Sequence, residues 1–98
     1  MFEVRWTRQA LRNLESITAY IARDNPEAAK KFSDTVFDRV EHLAQFPAVG
    51  RPGRVLRTRE LIVHENYLVP YRGKGDCVDI LRVQHVKRRP PEKWRTGE

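Results

Sequence analysis

The side chains able to do chemistry are few. They are His42, His64 and His85, the lone Cys77, and a set of arginines around one carboxylate, Glu60. Splitting a phosphodiester without a metal needs a base to activate a neighbouring hydroxyl, an acid to protonate the leaving oxygen, and cations to offset charge on the phosphate. His85, Glu60 and His64 are of the type to act as acid or base. Arg59, Arg72 and Arg82 are of the type to serve the phosphate. Other chemistries lack parts. The histidines have no metal-ligand spacing to one another or to Cys77, so no metal site is expected. Ser16 and Ser33 fall inside expected helices without a paired histidine and acid. Gly73 and Gly75 mark a turn before a strand, not a phosphate-binding loop before a helix. No cofactor is implied.

Each of these residues also has a plainer role. Glu60 can simply pair with Arg59 or Arg72. His85 can end a strand by bonding a backbone carbonyl, and His42 beside Glu41 reads as a surface residue. Arg51 can anchor its loop through carbonyls at the end of the preceding helix. Arg54 and Arg57 have no helical partner spacing, which favours a functional use. Lys87, Arg88 and Arg89 extend the same positive surface, and Trp94 is expected to pack the tail onto the body.

The chain has 98 residues, enough for one domain and one modest core. Its formal net charge is +6. Residues 1–50 carry seven basic and seven acidic side chains, and residues 51–98 carry twelve and six, so the whole excess lies in the second half. A basic surface favours acidic partners such as nucleic acid or an acidic protein. The longest apolar runs are too short to cross a membrane. The first residues lack a basic-then-apolar leader, which points to a bacterial-type cytoplasmic location. Cys77 alone cannot form an intrachain disulfide.

The elements that must position these residues follow from periodicity. Phe2, Val4 and Trp6 alternate with Glu3 and Arg5, a strand with one apolar face. Thr7 reads as a helix N-cap. Ala10, Leu14, Ile17 and Ile21 then form the stripe of an amphipathic helix over about residues 8–23. Asn25 is a second N-cap with Pro26 at the first helical position. Ala29, Phe32, Val36, Val40 and Leu43 continue a second helix to about Gln45. The short connection makes the two helices an antiparallel hairpin. Residues 46–53 are a loop rich in proline and glycine. Strands follow around Leu61–Val63, Tyr67–Arg72 and Val78–Gln84, joined by turns at Glu65-Asn66 and Gly73–Asp76. The expected fold is α+β, in the order β-α-α-β-β-β, with the helical hairpin on one face of a small, mainly antiparallel sheet. Residues 1–98 read as a single domain whose last part, about 86–98, is a basic C-terminal tail.

Two features strain this reading. Pro70 has no N–H for a ladder, so its strand must be bulged or unpaired on that side. In the last strand Val78 and Ile80 point one way and Leu81 and Val83 the other, which requires either two covered faces or a bulge near Ile80. Strict alternation also puts Arg82 and His85 on opposite faces.

The sequence resembles the RelE/ParE superfamily of toxins from type II toxin–antitoxin systems. The strings that carry the resemblance are Ile21-Ala22-Arg23-Asp24-Asn25-Pro26-Glu27-Ala28-Ala29, Phe46-Pro47-Ala48-Val49-Gly50-Arg51-Pro52-Gly53, Thr58-Arg59-Glu60-Leu61, Val69-Pro70-Tyr71-Arg72 and Val78-Asp79-Ile80-Leu81-Arg82-Val83-Gln84-His85. They fall in order over about residues 2–90. The resemblance implies a small basic bacterial toxin, held inactive by a cognate antitoxin, of the kind found in plasmid-stabilisation modules. ParE-like members poison DNA gyrase; RelE-like members cleave mRNA on the ribosome. The long helical hairpin and the Gly50-Arg51-Pro52 loop lean toward the ParE side. On that reading Arg51, Arg54, Arg57, Lys87, Arg88 and Arg89 form the target surface and the protein is not an enzyme. The alternative is a metal-free endonuclease using His85 with Arg59, Arg72, Arg82 and Glu60, and a third is an inactive member kept as a binding module. Tyr20, Phe37 and Val49 widen the apolar stripes of the hairpin and are candidate antitoxin contacts, although Phe37 also suits completion of the core. No membrane partner is implied.

Overall fold

The computed structural model describes residues 1–87. Strand β1 (Glu3–Trp6) leads into helix α1 (Arg8–Ala22). The Thr7 side-chain oxygen accepts the Ala10 N–H at 3.1 Å, the expected N-cap. The same hydroxyl donates to the Ile80 carbonyl at 2.7 Å, so the start of α1 is tied to the sheet. Helix α2 (Pro26–Glu41) begins at Asn25, whose side chain accepts the Ala28 N–H at 3.1 Å. It ends earlier than expected and tightens into a 3-10 turn, His42–Ala44, a common way to close a helix C-terminus.

The sheet contains β2 (Arg51–Pro52), β3 (Arg59–His64), β4 (Tyr67–Lys74), β5 (Cys77–Ile80) and β6 (Gln84–His85) as well as β1. The spatial order is β1-β5-β4-β3-β2, with β6 also on β4. β1 runs parallel to β5, and the other pairings are antiparallel. The architecture is therefore the expected helical hairpin on a mixed, mostly antiparallel sheet. Ala10 and Leu14 of α1, and Phe32, Val36 and Val40 of α2, pack with Leu61, Val63, Val69, Tyr71, Val78 and Ile80 in one core. Among the described residues no helix is long and apolar enough to cross a membrane.

The two strains in the sequence resolve as one feature. Ile80 pairs with Tyr71 and Gln84 pairs with Leu68, so one extra residue is accommodated between β5 and β6. This is a bulge. It sends Leu81 onto Val55 on the outer face, while Val83 joins the core under the helices. The Pro70 carbonyl accepts the Leu81 N–H at 2.9 Å, at the same bulge. A residue's N–H and C=O face the same neighbour in a ladder. The N–H that Pro70 lacks would thus face the place where pairing is already interrupted.

Candidate functional site

The basic segment after α2 is organised by a buried carboxylate. Glu60 lies on β3 and is only 3% exposed. Its Oε1 accepts from Arg51 Nη2 at 3.1 Å and Nε at 3.3 Å, and its Oε2 accepts from the Arg54 backbone N–H and Nε, each at 3.2 Å. Burial alone would push its pKa up, but the bonds from Arg54 and Arg51 outweigh that and hold it below the ordinary carboxylate value. Glu60 therefore stays ionised as the clamp of its loop. Its arginine partners are Arg51 and Arg54, not the Arg59 and Arg72 expected from proximity in sequence and strand.

The loop beyond is closed on itself. Gly53 N–H donates to the Thr58 carbonyl at 2.8 Å, and the Thr58 hydroxyl and N–H both donate to the Val55 carbonyl, at 2.6 and 3.2 Å. A Cβ on Gly53 would stand 2.2 Å from Thr58 Oγ1, which explains glycine there. Leu56, at the tip, is 85% exposed. Arg57 follows with φ 68°, the left-handed region that residues bearing a Cβ seldom adopt. Its guanidinium makes no hydrogen bond or ion pair among the described residues.

Tyr71 fastens the preceding loop. Its hydroxyl donates to the Pro47 carbonyl at 2.7 Å and accepts the Gly50 N–H at 2.9 Å. Burial raises its pKa. A Cβ on Gly50 would meet that hydroxyl at 2.6 Å. Arg59 Nη1 donates to the Gly50 carbonyl at 2.8 Å. Beside these groups lies a cavity of about 410 Å³, whose lining includes Phe2, Pro47, Pro52, Arg57, Arg59 and Arg72.

His85 lies elsewhere. It pairs with Tyr67, at the opposite end of β4 from Arg72. Arg72 lies five positions along β4 from Tyr67, about 16 Å at roughly 3.3 Å per residue. Arg59, opposite Tyr71, is about 13 Å along the strand, and Glu60, opposite Pro70, about 10 Å by the same rise. Alternation divides the set between faces as well. Tyr67 and Tyr71 belong to the helix-facing side, whereas Pro70 and Arg72 alternate to the other. Arg82 sits in the bulge, half-buried. The His85 and His64 rings both meet Tyr67, with centroids 5.4 and 5.9 Å apart, and Phe32 packs against Tyr67 and His64 at 5.1 and 5.8 Å. His85 Nδ1 accepts the Lys87 N–H at 3.2 Å, and His64 Nδ1 accepts the Asn66 N–H at 3.1 Å. Both histidines thus cap local turns through that nitrogen.

Of the remaining candidate residues, Lys87 is exposed, and Arg88, Arg89 and Trp94 lie outside the described residues. Tyr20 and Val49 are exposed, on α1 near the hairpin turn and in the loop after the helices. Phe37 on α2 is 39% exposed and stacks on Trp6 at 5.0 Å, so it both widens the stripe and covers the sheet edge. Sequence reasoning passed over Leu56, whose only signal was an apolar residue inside an arginine-rich run. It also missed the left-handed Arg57, which has no local signature. Among the described residues no group of three or more His, Cys, Asp or Glu could hold a metal ion.

Comparison with known proteins agrees over most of the chain. The family described as ParE toxin of type II toxin–antitoxin system, parDE, matches residues 4–90. The chain is 44% identical over 90 residues to Y4kP of Sinorhizobium fredii, provisionally named a toxin, covering 91% of this chain and 93% of that one. It is 33% identical over 88 residues to Toxin RelE2 of Caulobacter vibrioides, covering 90% and 99% respectively. A solved structure of the chromosomal ParDE toxin–antitoxin system from P. aeruginosa superposes with a TM-score of 0.77 at 31% identity, over 89% of this chain and 98% of that one.

Proposed function

Because the chain belongs to the ParE toxin family of type II toxin–antitoxin systems, we propose that it arrests growth by binding DNA gyrase through protein contacts, with no catalysis of its own. Its partner as a toxin of this type is an antitoxin. The observation that carries the gyrase reading is the separation of His85 and His64, which both meet Tyr67, from Arg59, Arg72 and Glu60. His85 is packed against Tyr67, about 16 Å along β4 from Arg72. Glu60 is fully occupied by Arg51 and Arg54. Cleavage needs acid, base and phosphate-binding cations around one scissile bond, and the two histidines at Tyr67 are far along β4 from Arg59 and Arg72.

The target surface on this reading is the arginine-rich loop with its neighbours. Arg51 and Arg54 are fixed by Glu60, so their half-exposed guanidiniums are presented with little rotamer freedom left to lose on binding. Leu56 projects between Arg54 and Arg57 as an apolar anchor within a cationic rim, the arrangement that a protein pocket with acidic edges would receive. Lys87, Arg88 and Arg89 extend the charge. Tyr20, Phe37 and Val49 are assigned to the antitoxin, as exposed apolar positions suited to an amphipathic segment. The site of action is the cytoplasm.

The test is His85→Ala, expressed under an inducible promoter and added to translating ribosomes. Growth arrest is expected to persist at the same induction level, with transcripts intact. An enzyme using His85 would lose about 100-fold or more in rate. Ribosome-dependent cleavage that disappears in this variant, together with lost toxicity, would replace the gyrase reading with the endonuclease one.

A further inference from the structure

We infer that the outer face of the sheet, away from the helices, is a docking face for the chain's own residues 88–98, with Trp94 seated over Leu68. Those residues lie outside the described ones, and the inference holds whatever the toxin's target is.

Pairing defines the face. Tyr67 and Val69 pack in the helix-side core, so Leu68 and Pro70 alternate to the outer side. Ile62 of β3 stands directly opposite Leu68, and so does Gln84 of β6. Residues directly opposite share a face, so Ile62, Leu68 and Gln84 form one row across three strands. An antiparallel sheet can leave such a face to water, but this row is covered. Leu68 is 0% exposed and Gln84 3%, and Pro70 is fully buried beside them.

The described residues do not supply that cover. The loop after β2 covers other parts of the face: Val55 packs on Leu81, and Arg51 and Arg54 close over Glu60. Leu68 belongs to neither apolar cluster of the described residues. The Gln84 side-chain amide is shielded from solvent, and neither its nitrogen nor its oxygen has a hydrogen-bond partner among the described residues. Water resting on the row would have bonded it, so the cover is one that excludes water, as an apolar side chain does.

Chain length and direction select the occupant. The Val86 N–H still donates to the Asn66 carbonyl at 2.9 Å, so the chain leaves the sheet beside the start of β4, close to Leu68. Eleven residues follow Lys87. Among them Pro90-Pro91 cannot extend a hydrogen-bonded strand and marks a change of direction. Trp94 comes three positions after Pro91, about 10 Å of extended chain at roughly 3.3 Å per residue. That length returns it from the end of β6 to the row. Trp94 is also the one large apolar side chain in this segment. Docked there, the segment joins its basic residues to Arg51 and Arg54, whose partner Glu60 stands opposite Pro70 on the same face. The two arginine-rich stretches of the sequence then form one surface.

The test is NMR of the isotope-labelled full chain. Cross-relaxation between the Trp94 indole and the Leu68 methyls is expected, with those methyls shifted upfield by the ring and restored in Trp94→Ala. Trp94→Ala is also expected to lower the melting midpoint by about 10 °C or more. Gln84→Met removes a buried amide that lacks partners. It is expected to raise the midpoint by about 4 °C or more in the parent and not in Trp94→Ala, where the position meets water. If Trp94→Ala does not fold, Trp94→Phe and the parent's own indole contacts decide. Absence of indole contacts to Leu68 in the parent overturns the inference. So does a folded Trp94→Ala protein with unchanged Leu68 methyl shifts and midpoint. In a sample mixing labelled and unlabelled chains, contacts found only between copies assign the face to a second copy and overturn it as well. The same holds if the Leu68 methyls move upfield only when the antitoxin is added.

Discussion

Replacing Glu60 by Gln keeps the shape of a 3% exposed side chain and removes its charge. In the parent, two carboxylate oxygens accept four N–H groups, three from guanidiniums and one from the Arg54 backbone. In the variant one oxygen becomes an NH2, so one pair of donors meets another donor. Losing one partner of a fully buried ion pair costs about 3–5 kcal/mol. Here Arg51 and Arg54 are 56% and 41% exposed and can turn to water, which discounts that figure strongly. Hydrogen bonds to charged groups contribute about 1.5–3 kcal/mol, so a net loss of about 2 kcal/mol is expected. In a chain of this size that is a fall of about 8–16 °C in the melting midpoint. The pH dependence gives the sharper check. The folded-state pKa of Glu60 is lowered, so the unfolded chain binds its proton more readily. The stabilisation from its ionisation is complete well above the ordinary value of 4.5 and is lost as pH falls below it toward the folded-state pKa. Urea denaturation of both proteins from pH 7 down to about pH 3 should show a gap that narrows below the ordinary carboxylate range. A gap under about 0.5 kcal/mol at pH 7, or one that widens as pH falls, would refute the role given to Glu60 as the ionised clamp of this loop.

Other consequences are simpler. Tyr71→Phe removes a hydroxyl that both donates to Pro47 and accepts from Gly50; a loss of about 1–3 kcal/mol is expected from denaturant midpoints, with faster hydrogen exchange at Gly50. Thr7→Ala removes both the cap on α1 and its bond to Ile80; about 1–2 kcal/mol should be lost, with early exchange at the first turn of α1. Gly50→Ala places a Cβ 2.6 Å from the Tyr71 hydroxyl and 3.0 Å from the Glu60 carbonyl oxygen; a cost of about 1–3 kcal/mol is expected by calorimetry.

The parts of the fold legible in the sequence are those with local causes. Thr7, Asn25 and Pro26 announce helix starts by their own chemistry, and the stripes of Leu14 and Val36 say which side must be covered. The bulge was visible only as two separate irregularities, Pro70 and the shift in alternation after Ile80. Joining them requires the register of β4 with β5 and β6, which is non-local. The two-residue β2 carries no periodicity and contains Pro52, so nothing in the sequence announces it. The partners of Glu60 were missed for a related reason. Arg51 lies opposite it across a β2–β3 pairing that is invisible from sequence, while Arg72 stands opposite Asp79 and Arg59 reaches back to Gly50. Of the site, the cationic segment from Arg51 to Arg59 was evident. The distance between His85 and the phosphate-type arginines was not, because it depends on which end of β4 each one meets.

The central claim, action on gyrase without catalysis, is tested most directly by adding the purified toxin to gyrase, ATP and relaxed plasmid. The account predicts loss of supercoiling at micromolar toxin, retained by His85→Ala and relieved by the cognate antitoxin. Full supercoiling at those concentrations, with transcript cleavage in a parallel translating-ribosome reaction, would contradict it.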